Sequence, residues 1–498
     1  MTLATLAVTA SPFTHPGSMD AYYYYHVASN LAQGRGLVEN FIWNYLSDPK
    51  GLPQPSNLYW MPLASFVATP FLWAFGDYFR AAQVGFVLLA SLAPAMSAWL
   101  VSTLWRSRSY AVWSALFTLL SGFYLGHWVA VDSFAPFFLA STVSLFMMAL
   151  LVTKDKLLPA VVCGLAAGLS HLARADGALL LPTLAATLLL TQPWRRGLAL
   201  FAIGLAAYLL VISPWFLRNW GVIGSPMPSS GAQTVLLREY NDLFSYNKEI
   251  TLSAYLQDGL WPIALGKVRA LGQNLVILYG GAFYLVPFGA LGLWLWRYDR
   301  RLLPFAVYTI LLYIAMSLVF TYPGVRGGMK HSGVALLPWT AAAATHGMYT
   351  AVAWVGDRLP HWDVPKARFW FTAIALIFSA FLGLYTAASE ARIRDVEHRR
   401  YEDLAAWFRD QTEPEAVIMV TNPPAFHYSS RRTSIVTPSD GLDALLAAAE
   451  RYGVSYLALD ADHAPSLDPL YREELASPRL RAIATVGDTR IYEVLRAP

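Results

Sequence analysis

Residues 132–156 read DSFAPFFLASTVSLFMMALLVTKDK. An Asp followed by a Pro within one turn, here Asp132 and Pro136, is a helix-start signal. The stretch from Ser133 to Thr153 carries no charge, and it is long enough to cross a hydrocarbon layer about 30 Å thick, which needs about 20 residues. Lys154 and Lys156 close it. One segment therefore shows a membrane span with an acid at one end and bases at the other.

Comparable stretches recur on both sides of it. Apolar runs at 81–104, 110–127, 133–153, 157–175, 177–192, 198–217, 272–296, 302–322, 333–356 and 369–388 predict ten spans. Basic residues concentrate in cytoplasmic loops of membrane proteins. Here alternate connections hold Arg106 and Arg108; Lys154 and Lys156; Arg195 and Arg196; Arg297, Arg300 and Arg301; and Arg358, Lys366 and Arg368. These five loops are expected to be cytoplasmic. The other set collects Asp20, Glu39, Asp132, Asp176 and most remaining acids, so the chemistry is expected on the outer face.

Of the 68 charged residues, 31 fall in the last 109 positions. The chain therefore divides into a membrane domain, 1–389, and a soluble extracytoplasmic domain, 390–498. In the tail, Val417–Val420, Ser434–Val436, Val454–Leu459 and Ile491–Leu495 read as strands. Leu442–Tyr452 reads as a helix closed by Gly453, so the tail is a small α/β layer. The fold class is thus an all-α polytopic membrane domain with a small C-terminal α/β domain. The membrane domain has ten helices, or eleven if another precedes Asp20. Residues 15–80 form a first extracytoplasmic loop with juxtamembrane helices at 52–76. Met1–Phe13 is apolar but too short to span, and the expectation is a recorded start downstream of the true one. The segment 221–260 reads as an interfacial loop or lid.

A net charge of +4 does not support a nucleic-acid partner, and the single Cys163 excludes an intrachain disulfide and a cysteine metal cluster. No phosphate-binding glycine loop follows any strand, so no nucleotide cofactor is expected.

Four constellations could carry chemistry. Asp20 precedes four tyrosines and His26; it reads as a helix cap or as a general base, with Tyr23 and His26 available to a sugar or lipid. Asp132 reads as a helix start or as an acid whose depth makes it functional. Arg174 and Asp176 read foremost as a pair or as caps. Arg326, Lys330 and His331 sit among glycines, where cations and backbone N–H groups suit a phosphate; Arg218 is a further cation or a snorkelling anchor.

The order of these motifs resembles the GT-C superfamily of polytopic glycosyltransferases. Its bacterial protein O-mannosyltransferase and aminoarabinose transferase-like (family 39-like) members are the nearest subgroup. The carrying motifs are the first-loop Asp20, the 58–63 stretch LYWMPL, VDSFAPF at 131–137, LARADG at 172–177 and ISPWFLRNW at 212–220. The resemblance implies sugar transfer from a polyprenyl-phosphate donor to an extracytoplasmic acceptor, with inversion. Asp20 then matches the first-loop catalytic acid and Asp132 the second-loop acid, with Arg326, Lys330, His331 and Arg218 around the phosphate. Met19 stands where the family often has a second acid, and the second loop offers one Asp. A divalent metal therefore has no paired-acid motif behind it. The alternatives are a transporter or flippase, or a cell-envelope scaffold on a degenerate GT-C fold. The spans lack the mid-membrane charge and internal repeat a transporter would show.

Overall fold

The computed structural model describes residues 2–153, 156–280 and 285–495. Each predicted span contains a helix, but the boundaries differ in instructive ways. Among the described residues five helical segments are long and apolar enough to cross a membrane: Phe79–Trp105, Phe134–Thr153, Trp194–Ile223, Arg300–Val319 and Val364–Gln411. Leu157–Ala173, Ala175–Thr191 and Val286–Leu295 are apolar but shorter.

Three expectations need correction. The 110–127 run yields only the helix Arg108–Leu119; from Leu120 to Ser133 the chain folds into buried turns around the short helix His127–Val129. Neighbouring elements bury that irregular backbone, a setting in which a membrane protein tolerates it. Second, the 272–296 run is not one helix. A helix Leu260–Gly280 begins twelve residues earlier, and Val286–Leu295 follows; residues 281–284 lie outside the described residues. The helix starts inside the predicted loop because Lys267 and Arg269 lower its hydropathy, yet Lys267 Nζ caps the Leu318 carbonyl and Arg269 faces a cavity. Third, 52–76 holds one helix, Leu63–Phe75.

Close helix contacts are made through small residues, as in membrane bundles. A Cβ on Gly164 would collide with the Gly204 carbonyl, one on Gly292 with that of Ala343, and one on Gly324 with that of Met316. Connections from within each of the two loop sets meet one another in the fold. In one set Trp105 donates to Asp299 at 3.1 Å and stacks on Trp296 with ring centres 4.5 Å apart, and Tyr110 meets His346 at 3.0 Å. Lys154 and Asp155 lie outside the described residues. The other set gathers Asp20, Asp132, Arg174 and His331.

The helix Val364–Gln411 runs 48 residues without a break through residue 390. Beyond it stands a six-stranded sheet. We number the strands β1 (Val38–Glu39), β2 (Phe41–Ile42), β3 (Gln54–Pro55), β4 (Val417–Val420), β5 (Ser434–Val436), β6 (Val454–Leu459), β7 (Leu480–Val486) and β8 (Thr489–Val494). The sheet order is β2-β5-β4-β6-β8-β7, with β2, β5, β4 and β6 parallel and the last two antiparallel. Strand β2 belongs to the first loop: Phe41 and Ile42 align with Ser434 and Ile435. β1 and β3 form a separate two-stranded ladder. The helix Leu442–Tyr452 ends at Gly453 with φ +65°, a conformation glycine adopts without penalty.

Candidate active site

The helix Met19–Ala32 is capped by Ser18, whose Oγ accepts from the Ala21 amide at 3.3 Å. Asp20 therefore sits in the first turn with its carboxyl free of the capping role that the sequence allowed it. Asp132 enters from the turn before Phe134–Thr153. Its Oδ1 accepts from the Ser133 amide at 2.5 Å and from the Ser133 hydroxyl at 3.1 Å. His331 arrives on the turn Met329–Gly333, between the helices Leu303–Ile314 and Leu337–Gly356, with Nδ1 3.7 Å from Asp132 Oδ1.

One ligand atom each from Asp20, Asp132 and His331 lies within 4.8 Å of the other two. Two carboxylate oxygens and an imidazole nitrogen at that spacing fit a divalent cation of the magnesium, manganese or zinc type. Burial pushes both carboxyls above the ordinary aspartate range. For Asp20 the charge of Asp132 adds to this, while Arg174 and Lys330 oppose it; for Asp132, Ser133 and Arg174 oppose it.

Arg174 and Asp176 do pair, Nε to Oδ1 at 3.0 Å, and Arg174 Nε also reaches Ser332 Oγ at 3.0 Å. The Ser332 hydroxyl donates to Asp176 Oδ2. The pair is thus as the sequence suggested, but it is a wall of the acidic site rather than a remote corner. Only the fold, which brings the end of Leu157–Ala173 against residues 331–332, reveals that.

The remaining candidates divide. Lys330 lies beside the acids, its ammonium over Phe123 at 5.1 Å, with no carboxylate within 4 Å among the described residues. Arg326 sits on a π-helical turn, Gly324–Gly328, with its guanidinium 5.2 Å from the Tyr240 ring. It lines a cavity of roughly 470 Å³ together with Tyr240, Arg269, Gln273 and Tyr322. Arg269 was not singled out in the sequence, because it falls inside a segment that reads as a loop.

Tyr23 and His26, in the first loop, and Arg218, on the helix Trp194–Ile223, are held elsewhere. Tyr23 accepts from the Asn57 amide at 2.5 Å. His26 Nε2 contacts Asn30 at 3.0 Å, and its ring meets His427 edge-on. Arg218 donates to the Ser56 carbonyl at 2.9 Å and covers Trp215 at 4.8 Å. Beside them Glu39 accepts from Gln54 at 2.6 Å, and burial pushes its carboxyl up to about 8.

A helical bundle with the first loop and a terminal sheet closed over an acid pair is a fold this chain shares with solved structures of ArnT and AglB. No family model matches the chain. A curated relative, the undecaprenyl phosphate-alpha-4-amino-4-deoxy-L-arabinose arabinosyl transferase of Yersinia enterocolitica, is 26% identical over 151 residues, 29% of this chain and 27% of the relative. The crystal structure of ArnT from Cupriavidus metallidurans bound to undecaprenyl phosphate superimposes with a TM-score of 0.61 at 14% identity, over 99% of this chain and 96% of that one. The oligosaccharyltransferase AglB from Archaeoglobus fulgidus, in complex with an inhibitory peptide and a dolichol-phosphate, gives 0.59 at 14% identity over 94% and 70%.

Proposed function

We propose that this chain is a membrane glycosyltransferase that moves a sugar from a polyprenyl-phosphate donor to an acceptor on the outer face. The observation that carries this reading is the acid pair Asp20 and Asp132 standing near a two-arginine cavity. Tyr240 links the two features: the charges of Asp20 and Arg326 both act on its hydroxyl. One wall of the cavity is the helix Leu260–Gly280, whose Leu260, Trp261, Val268 and Val276 are exposed apolar residues. A polyprenyl chain packed against this helix would bring its phosphate to Arg269 and Arg326.

Asp20 accepts the proton of the acceptor hydroxyl as its oxygen attacks the anomeric carbon; the bond from that carbon to the phosphate oxygen breaks, and the configuration inverts. Asp132 and His331 orient the acceptor and balance charge at the sugar. The arginines stabilise the departing phosphate, where preorganised charge contributes most. A divalent cation, if held by Asp20, Asp132 and His331, would supply Lewis-acid polarisation at that point. In this reading the sheet and its helices, 390–498, stand outside the membrane, and 1–389 forms the membrane domain. The sugar can be a hexose or a pentose, and the acceptor a protein, lipid or glycan.

The test is to incubate the purified protein in lipid nanodiscs with a panel of undecaprenyl-phosphate sugars and envelope-extract acceptors, following donor consumption. Consumption of at least one donor, abolished by Asp20→Asn, supports the reading. No consumption of any donor overturns it.

A further inference from the structure

The segment 120–127 is pressed against the long helix Val364–Gln411. A Cβ on Gly122 would stand 3.1 Å from Leu382, and one on Gly126 3.3 Å from the Cβ of Ala387. Thr386 Oγ1 donates to the Gly122 carbonyl at 2.9 Å. This close approach delivers Glu390 to His127: Oε1 lies 3.3 Å from His127 Nε2, while Oε2 engages Arg394 at 3.2 Å. Nε2 of His127 has no aligned hydrogen bond among the described residues; the Glu390 oxygen at 3.3 Å is the carboxylate atom set against it, with Lys330 and Arg394 the cations nearby.

The His127 ring is the first plate of a stack. It lies 4.6 Å from Phe134 at 11°, and Phe134 lies 4.0 Å from His331 at 26°. His331 turns its Nδ1 to the Ser133 hydroxyl at 3.1 Å and toward Asp132. Three rings are therefore stacked nearly parallel, and the last of them borders the acid pair. Unstacked, an imidazole ring would turn freely about χ2, a broad torsion.

We propose that Glu390 is a positioning residue: by holding His127 it locks the His127–Phe134–His331 stack and so fixes the plane in which His331 meets Asp132. The proposal rests on the glycosyltransferase reading for its catalytic consequence only; the mechanical part stands on the geometry. Supporting groups that tune a site through its ligands are commonly worth about 10-fold or more. Lys330 and Arg394 border the same carboxylate, so the charge at Glu390 is already compensated and its oxygen position is what counts.

The experiment uses the full chain in nanodiscs and three variants: Glu390→Ala, Glu390→Gln and Phe134→Leu. Diethylpyrocarbonate labelling read by mass spectrometry should find His331 modified severalfold faster in Glu390→Ala and in Phe134→Leu, with His26 and the melting temperature unchanged. Glu390→Gln keeps an oxygen in place and should restore the wild-type rate. In turnover, Glu390→Ala should lower kcat about 10-fold with KM for the lipid donor unchanged. Unchanged His331 labelling in both Glu390→Ala and Phe134→Leu overturns the proposal, whether or not any donor is turned over. Faster labelling with full kcat overturns its catalytic half. Absence of turnover in the wild type counts against the glycosyltransferase reading alone, since the labelling still decides the stack.

Discussion

Asp132 and His331 are joined by a single hydroxyl: Ser133 Oγ lies 3.1 Å from Asp132 Oδ1 and 3.1 Å from His331 Nδ1. That bridge ties the turn before one span to the segment before another, and with Asp20 it closes a three-donor site. An oxygen-rich set with one imidazole selects a divalent cation by charge and donor type. Manganese, observed by paramagnetic resonance, should bind one ion per chain. Asp132→Asn should abolish that binding, and His331→Ala should weaken it about 10-fold or more. Equal manganese binding in all three proteins would show that these side chains are not its ligands.

Asp20 acts as a base in the proposed reaction, and the structure frees it to do so because Ser18 holds the helix cap. Asp20→Asn keeps the volume and removes the proton acceptor. Turnover should fall by about 10²-fold or more, with the melting temperature unchanged. A loss of stability matching the loss of turnover would return Asp20 to a structural part.

Arg174 sets the pH at which that base works. Burial and Asp132 raise the Asp20 carboxyl, and Arg174 opposes them. Arg174→Gln removes the opposing charge, so the carboxyl rises further and fewer molecules carry an ionised base at a given pH. The acidic limb of kcat/KM against pH should therefore move to higher pH, by about one unit. A shift to lower pH, or none, would mean that the limb belongs to another group.

Most of the architecture was legible because membrane spans and tail strands are local patterns. Val417–Val420, Ser434–Val436 and Val454–Leu459 fall where the β-branched runs placed them. What was not legible depends on distant partners. Two residues, Phe41 and Ile42, are too short a run to read as a strand, and they become one only by pairing with Ser434 and Ile435. Arg174 and Asp176 satisfy each other within two positions, so the sequence offered no reason to look for Asp20 or Asp132 beside them. Arg269 was hidden because charged residues that face a cavity depress the hydropathy of the helix that carries them.

Arg326 and Arg269 are assigned to the donor phosphate, and each can be removed without touching the acids. Arg326→Ala and Arg269→Ala should both weaken donor binding, each by about 1.5–3 kcal/mol, the range of a hydrogen bond to a charged group. They should also lower turnover, because the contact strengthens as charge develops on the leaving phosphate. Binding of undecaprenyl phosphate measured by native mass spectrometry checks the first effect. Undiminished binding in the double variant would place the phosphate elsewhere.

The first loop and the terminal sheet are one mechanical unit, and that has a consequence for both. Strand β2 lies at the sheet edge beside β5, with Phe41 and Ile42 fully buried. On the helix that carries Asp20, Tyr22 contacts His398 Nδ1 at 3.1 Å, and Tyr25 meets Tyr428 with ring centres 5.4 Å apart. The same helix that bears the proposed base is therefore packed against the tail along its length. Ile42→Ala opens a cavity between loop and sheet, where truncations of this kind cost about 2–5 kcal/mol. If loop and tail unfold together, a single melting transition should move down, and kcat should fall with KM for the donor nearly unchanged, because Arg269 and Arg326 stand on other elements. A conservative Ile42→Val should recover most of both quantities, since it removes one methylene and keeps the β-branched shape. Should Ile42→Ala lower the melting temperature yet leave kcat intact, the tail would be a stabilising cover and not part of what holds Asp20 in place.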